Sequence, residues 1–108
     1  AGKLDGLSVR VPTPDGSLTD FTAILEKDVT VDDINMAFKE SAENSLQGIL
    51  EYSEDPLVLA DIIGNPLSCV FDAQSTNVVE GNMVKILGWY DNEWGYSNRC
   101  VDLLKRLG

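Results

Sequence analysis

The segment Met83–Tyr90 is the feature that most constrains how this chain can fold. It is apolar on both faces of a strand, and such a strand is stable only where both faces are covered, so we expect it at the centre of a sheet. A dense run of polar and aromatic residues, 89–99, follows at once and leads into a terminal helix that begins near Asn92. Side chains of this kind seldom cluster at a strand–helix junction for packing alone. The junction is therefore the first candidate for a functional site.

Alternating apolar residues predict the other strands, at 7–11, 17–27, 48–53, 68–73 and 77–80. Two prolines and a glycine in the turn 12–16 should join the first two strands as an antiparallel pair. Segment 81–82 is predicted to be a turn, and segment 57–64 a looser apolar connection.

Two helices are predicted. The first has Thr30 as its N-cap and ends at Asn44 and Ser45. In the second, Asp102 and Arg106 are spaced to pair across one turn. Apolar residues cover most of the circumference of this second helix: Trp94, Tyr96, Cys100, Val101, Leu103, Leu104 and Leu107. The order β-β-α-β-β-β-β-α predicts one α+β domain over 1–108, a largely antiparallel sheet with two main helices packed on one face.

Composition narrows the function classes. With 108 residues there is room for one core, and no apolar run approaches the roughly 20 residues that span a bilayer. The net charge of −10 argues against nucleic acid and anionic membranes as partners. No signal peptide is expected at the start, and two cysteines without a dense framework fit a reducing, cytoplasmic compartment.

The residues needed for several chemistries are missing from the sequence. There is no histidine, so neither a histidine-activated nucleophile nor a zinc site is expected. Cys69 and Cys100 lie in apolar runs, and we expect both to be small buried hydrophobes. No Gly-x-Gly-x-x-Gly occurs, so the fingerprint of a dinucleotide-binding loop is absent.

The run Trp-Tyr-Asp-Asn-Glu-Trp-Gly-Tyr-Ser-Asn-Arg at 89–99 resembles the C-terminal signature of the phosphorylating glyceraldehyde-3-phosphate dehydrogenases. The opening Gly-Lys-Leu-Asp-Gly-Leu-Ser-Val-Arg-Val-Pro-Thr-Pro at 2–14 resembles the same family. The resemblance covers essentially the whole chain and corresponds to the last third of that enzyme. It implies the C-terminal part of the catalytic domain, without the nucleotide-binding domain. The family's Ser-Cys-Thr-Thr-Asn nucleophile motif does not occur.

Three residues are candidates for binding. A guanidinium at Arg10 can grip a phosphate through two parallel hydrogen bonds, although an arginine on a strand is more often a surface ion pair. By residue type, Asn92 suits a helix cap and Tyr96 a packed aromatic. The resemblance implies that Arg10 binds the substrate phosphate, that Asn92 contacts the nicotinamide, and that Tyr96 lines the active site. No catalytic residue and no metal ligand is predicted.

Other polar and aromatic residues have plainer interpretations. Glu51, Glu54 and Asp55 are expected to form a solvated acidic edge, and Trp89 and Trp94 to lie in the core or an interface. The chain departs from the family pattern at three places. In the segment 58–61, Leu59 and Ala60 stand where a serine pair usually precedes the aspartate. Leu67 replaces a usual histidine, and Asn44-Ser45 replaces a usual Gly-Pro pair.

Two functions remain open. The chain is expected to be either part of an NAD-dependent dehydrogenase or a stand-alone, non-catalytic association module. An upstream reading frame with the nucleophile motif would favour the first, and a start codon at this point the second. NAD is expected for the parent enzyme and no cofactor for this chain alone. The expected partners are the nucleotide-binding domain of the parent enzyme and further copies of the chain, which should make contact near Trp89 or Trp94. Neither nucleic acid nor a membrane is expected as a partner.

Overall fold

The computed structural model describes residues 2–108, which form a five-stranded mixed sheet with two long helices. The elements are β1 Ser17–Ile24, α1 Val31–Glu43, β2 Leu50–Ser53, α2 Leu59–Ile62, β3 Cys69–Asp72, β4 Asn77–Val79, β5 Met83–Tyr90 and α3 Trp94–Leu107. A single 3-10 turn, Ala73–Ser75, follows β3. The predicted α+β fold with a largely antiparallel sheet is confirmed.

Strand β5 is central, as its two apolar faces predict. It pairs antiparallel with β1 along its whole length, from Ser17 opposite Tyr90 to Ile24 opposite Met83. On its other edge it pairs antiparallel with β3 and with β4. Strand β2 adds a parallel pair beyond β3, which gives the order β1-β5-β3-β2. The end of β5 therefore opens among β1, β3 and the start of α3.

Helix α1 packs over the core on one face of the sheet. Its first turn is closed by a capping box: Thr30 Oγ1 accepts the Asp33 N–H at 3.1 Å, and Asp33 Oδ2 accepts the Thr30 N–H at 2.8 Å. On the packed side, the Phe38 ring stacks on the Phe71 ring at 4.0 Å between centroids. Leu50 and Ala73 complete this buried cluster.

The predicted strand 7–11 is wrong, because the segment is exposed and belongs to no strand of the sheet. Leu7, Val9 and Val11 are 85%, 74% and 61% exposed. An alternating segment forms a strand only where a sheet edge and an apolar surface lie beside it. The predicted partner of 7–11, strand β1, pairs with β5 and not with this segment. Pro12 and Pro14 also remove two backbone donors at the point where a hairpin would close.

Four smaller predictions need correction. Segment 57–64 contains a one-turn helix, α2, anchored by Ile62, which is 1% exposed. Both cysteines are free and half-buried rather than fully buried. Asp102 pairs with Arg99 at 2.6 Å rather than with Arg106, because the same guanidinium donates to Ser68 Oγ at 3.2 Å. Glu51 is half-buried and accepts from Asn65 Nδ2, so only part of the acidic edge is solvated.

The buried carboxylate of Asp91 joins β5, α3 and the segment after α2. Its Oδ1 accepts the backbone N–H groups of Glu93 and Trp94 at 3.0 and 2.8 Å, and its Oδ2 accepts that of Gly64 at 2.9 Å. The hydrogen bond from Gly64, followed by those from Trp94 and Glu93 and one with Asp15, lowers the pKa of Asp91. Asp91 thus performs the capping role that the sequence assigned to Asn92.

Gly95 lets α3 approach the start of β3 closely. It is the one buried residue of this helix, and a Cβ at this position would lie 2.7 Å from the carbonyl oxygen of Leu67. That oxygen belongs to the backbone and has little room to move. The absence of a side chain at Gly95 is therefore a condition for the docking of α3.

Within residues 2–108, no helix is both long enough and apolar enough to cross a membrane.

Replacing Gly95 with alanine should lower the free energy of unfolding by about 1–3 kcal/mol through overpacking against Leu67. Alanine favours a helix interior over glycine by roughly 1 kcal/mol, so intrinsic propensity acts in the opposite direction. Urea unfolding followed by tryptophan fluorescence measures the change. Gly6→Ala is the control, because nothing lies within 4 Å of a Cβ there. A Gly95→Ala variant as stable as the parent would contradict this packing.

The Asp91 carboxylate should make stability depend on pH. A carboxyl whose pKa is lowered in the folded state stabilises it above the unfolded pKa, about 3.9, and this contribution is lost as pH falls through the folded pKa. We expect Asp91→Asn to lose about 1–3 kcal/mol at neutral pH and less at pH 3. Urea unfolding at both pH values measures the difference, with exposed Asp5→Asn as control. A loss equal at both values would show that the charge of Asp91 is not used.

Candidate functional site at the β5–α3 junction

Asn92 connects the junction to the start of β1. Its Oδ1 accepts the backbone N–H of Gly16 at 3.0 Å and the hydroxyl of Ser17 at 3.1 Å. Gly16 has a φ of 88° and packs against the Leu59 side chain, so a residue with a side chain would be both strained and crowded there. The side chain of Asn92 is thus positioned by two segments that are distant in sequence.

The hydrogen bonds of Asn92 determine which way its amide points. A backbone N–H can only donate, so the atom that faces Gly16 must be the oxygen. The Nδ2 group then lies on the other side of the amide and makes no hydrogen bond within residues 2–108, and the residue is exposed. Asn92 therefore presents an oriented N–H donor to solvent.

Tyr96 lies in the first turn of α3, four residues after Asn92. Its ring is 72% exposed, so it is not the packed aromatic that its residue type suggests. A side-chain hydrogen bond with Cys100, one turn later, raises the pKa of the Tyr96 hydroxyl. Asn92 and Tyr96 thus share the junction, and both are accessible.

Arg10 lies on the exposed N-terminal segment before Gly16, outside the sheet. It is exposed, and within residues 2–108 its side chain forms no hydrogen bond or ion pair, including none to Asn92 or Tyr96. The residues described therefore bring two of the three predicted site residues together and leave the third on an uncovered segment.

An apolar groove of about 280 Å³ lies on the sheet face next to α1. Phe21, Phe38, Ile86 and Cys69 are among its lining residues. Burial raises the pKa of the Cys69 thiol, so this cysteine is a poor nucleophile. Among residues 2–108, no three His, Cys, Asp or Glu side chains converge so that they could hold a metal ion.

Two residues organise the junction: Asp91, whose charge suits the N-terminal end of α3 but whose hydrogen bonds were not predicted, and Gly95, which sequence reasoning missed. Asp91 has the residue type of an N-cap and lies three positions before the first residue of α3, which is a usable local signal. Gly95 carries no such signal, because its role depends on a carbonyl group that lies 28 positions earlier in the chain.

The chain matches known proteins along nearly its whole length. The family model "Glyceraldehyde 3-phosphate dehydrogenase, C-terminal domain" matches residues 1–92. The chain is 62% identical over 106 residues to glyceraldehyde-3-phosphate dehydrogenase of Priestia megaterium, which covers 98% of this chain and 32% of that protein. It is 59% identical over 107 residues to glyceraldehyde-3-phosphate dehydrogenase 2 of Streptomyces avermitilis, covering 99% of this chain and 32% of that protein.

A third relative, glyceraldehyde-3-phosphate dehydrogenase of Geobacillus stearothermophilus, is 56% identical over 102 residues, which are 94% of this chain and 30% of that protein. The chain thus spans about a third of the length of the relatives that it matches. With 92 of its 108 residues inside the family model, the chain belongs to the family of glyceraldehyde-3-phosphate dehydrogenase C-terminal domains.

Proposed function

We propose that this chain forms a single domain, 1–108, that supplies part of the active site of an NAD-dependent glyceraldehyde-3-phosphate dehydrogenase. Arg10 binds the phosphate of the substrate, Asn92 contacts the nicotinamide, and Tyr96 lines the site. The nucleophile and the nucleotide-binding domain belong to the part of the relatives that this chain does not cover. The relatives bear the name of this enzyme, which supports the assignment.

The orientation of Asn92 is the observation that carries the proposal. Its oxygen is engaged by Gly16 and Ser17, so Nδ2 is left to donate to an acceptor outside the chain. The carboxamide oxygen of a nicotinamide is such an acceptor, and a donor held in a fixed direction restricts the orientation of the ring. NAD supplies the chemistry of accepting a hydride, while Asn92 orients its ring.

The free guanidinium of Arg10 supports the phosphate-binding role. Within residues 2–108 no carboxylate neutralises it, although the sequence holds eighteen acidic residues against eight basic ones. A phosphate can therefore engage both of its parallel N–H groups without first breaking an ion pair. The exposed segment around Arg10 needs a covering surface to fix it, and the proposal places that surface in the rest of the enzyme.

Two further properties belong to the proposal. The two free thiols fit a reducing, cytoplasmic compartment. Homo-oligomers are favoured by exposed apolar residues on both the sheet and α3, among them Leu18, Ile24 and Leu104.

The purified 108-residue chain should have no dehydrogenase activity. Loss of a nucleophile and its base typically costs many orders of magnitude in rate, and Asn92 alone offers hydrogen bonds worth about 0.5–1.5 kcal/mol each. That is far below the roughly 8 kcal/mol that micromolar NAD binding requires. The assay is NADH formation from NAD, glyceraldehyde 3-phosphate and phosphate. Turnover by the chain alone would overturn this division of the active site.

A chimera tests the residue roles directly. The matched third of the Priestia megaterium relative is replaced by this chain, and Arg10→Leu and Asn92→Ala are made in the chimera. Arg10→Leu should raise KM for the phosphorylated substrate by about 10-fold to 100-fold and leave KM for NAD unchanged, because only a charged hydrogen bond to phosphate is lost. Asn92→Ala should instead lower kcat, because the ring is no longer oriented.

Lys3→Leu is the matched control, since it removes another exposed cation from the same N-terminal segment. It should leave all three constants unchanged. Equal effects of Lys3→Leu and Arg10→Leu would mean that Arg10 contributes only general charge, and an Asn92→Ala chimera with normal kcat would refute the nicotinamide contact.

A further inference from the structure

We propose that Ser17 is a positioning residue, whose hydroxyl holds the Asn92 amide in the orientation with which it meets the nicotinamide. The inference rests on the proposed function of Asn92 and deepens it, because it names a second residue on which the orientation of the ring depends. Ser17 is assigned no contact with substrate or cofactor and acts only through its hydrogen bond to Asn92.

The pairing of β1 with β5 brings Ser17 to the junction. Ser17 is the first residue of β1 and lies opposite Tyr90, the last residue of β5, so it is next to the point where the chain turns toward α3. Ser17 is half-buried, and its Oγ donates to Asn92 Oδ1 at 3.1 Å. Because successive side chains of a strand point to opposite faces, a shift of register by one residue would turn this hydroxyl away from Asn92.

The second donor to Asn92 is shared with another acceptor. The backbone N–H of Gly16 donates to Asn92 Oδ1 at 3.0 Å and also to the carboxylate of Asp15, whose Oδ1 lies at 2.8 Å. A carboxylate is the stronger acceptor of the two, so the bond to Asn92 is the weaker branch of this three-centre hydrogen bond. The Ser17 hydroxyl makes no other hydrogen bond within residues 2–108. Of the two donors, Ser17 is therefore the one committed to Asn92 alone.

Two donors to one oxygen fix the plane of the Asn92 amide as well as its position. The terminal torsion of an asparagine side chain has broad minima, so the amide turns easily when nothing holds it. Asn92 is exposed, and hydrogen bonds rather than packing must therefore hold its side chain. With the shared Gly16 donor alone, the amide can rotate about that single bond and carry Nδ2 out of line with an acceptor. With Ser17 bound as well, Nδ2 keeps one direction.

NMR of the 108-residue chain tests the positioning itself, without catalysis. Three-bond couplings to the Asn92 β protons should report one χ1 rotamer in the parent chain and averaging among rotamers in Ser17→Ala. Ser17→Thr should restore the single rotamer, because threonine keeps the hydroxyl and suits a strand. Ser97→Ala is the matched control, since it removes a serine hydroxyl near the junction that donates to the Glu93 carbonyl oxygen and not to Asn92.

Kinetics of the Priestia megaterium chimera test the consequence for the reaction. Ser17→Ala should lower kcat by about 2-fold to 10-fold, the loss of one neutral hydrogen bond, while KM for NAD and for glyceraldehyde 3-phosphate stay unchanged. Ser17→Thr should restore kcat, and Ser97→Ala should not change it. Because Ser17 acts through Asn92, the double variant Ser17→Ala/Asn92→Ala should be no slower than Asn92→Ala alone.

Three results would overturn the proposal: a single Asn92 rotamer that persists in Ser17→Ala, equal effects of Ser17→Ala and Ser97→Ala, or additive losses of kcat in the double variant. Failure of the proposed function is a different outcome. If Asn92→Ala keeps a normal kcat, the nicotinamide contact is refuted, and the couplings still decide whether Ser17 positions Asn92. If Asn92→Ala is slow and Ser17→Ala is not, only the role of Ser17 is refuted.

Discussion

The carboxylate of Asp91 is the interaction on which the rest of the junction depends. Its three backbone donors come from the start of α3 and from the segment after α2, and the residue itself ends the central strand. A buried carboxylate is tolerated when N–H donors fill its hydrogen-bonding positions. Removal of any of these donors would leave part of the charge unsatisfied and would lower the stability of the fold. Through Asp91, the central strand β5 fixes the start of α3 and therefore the positions of Asn92 and Tyr96.

Two parts of the chain expose apolar residues that the domain itself does not cover. The segment before Gly16 is exposed, and it carries Arg10 with three alternating apolar residues, Leu7, Val9 and Val11. The outer side of α3 is likewise apolar and open. For the first, the proposed function places the covering surface in the rest of the enzyme.

Local signals in the sequence were sufficient for the start of α1, for the existence of α3 and for the central strand. The capping box of Thr30 and Asp33 acts within four residues, so the start of α1 could be predicted, and the two apolar faces of β5 required neighbours on both sides. The prediction of a strand at 7–11 was wrong because an alternating pattern fits a strand but does not show that the fold offers a neighbouring strand to pair with it. The predicted ion pair between Asp102 and Arg106 was wrong for a similar reason. Asp102 pairs with Arg99, whose guanidinium is also held by Ser68, 31 positions earlier in the chain.

The site was only partly predictable, for the same physical reason. The family resemblance pointed to Asn92, but the fact that fixes its amide is a contact with Gly16, 76 positions away. The contact of Asp91 with Gly64 and the role of Gly95 could not be predicted, because their partners are backbone groups distant in sequence, which leave no trace in a list of residue types.

The most direct test of this account is amide hydrogen exchange in an Asp91→Ala variant, followed residue by residue by NMR. The amides of Gly64 and Trp94 lose their acceptor directly, whereas the amide of Gly16 donates to Asp15 Oδ1 and Asn92 Oδ1 and not to Asp91. If the junction is one unit, all three should lose protection together. If Gly16 keeps its protection while Gly64 and Trp94 lose theirs, Asn92 is positioned independently of Asp91 and the central claim is wrong.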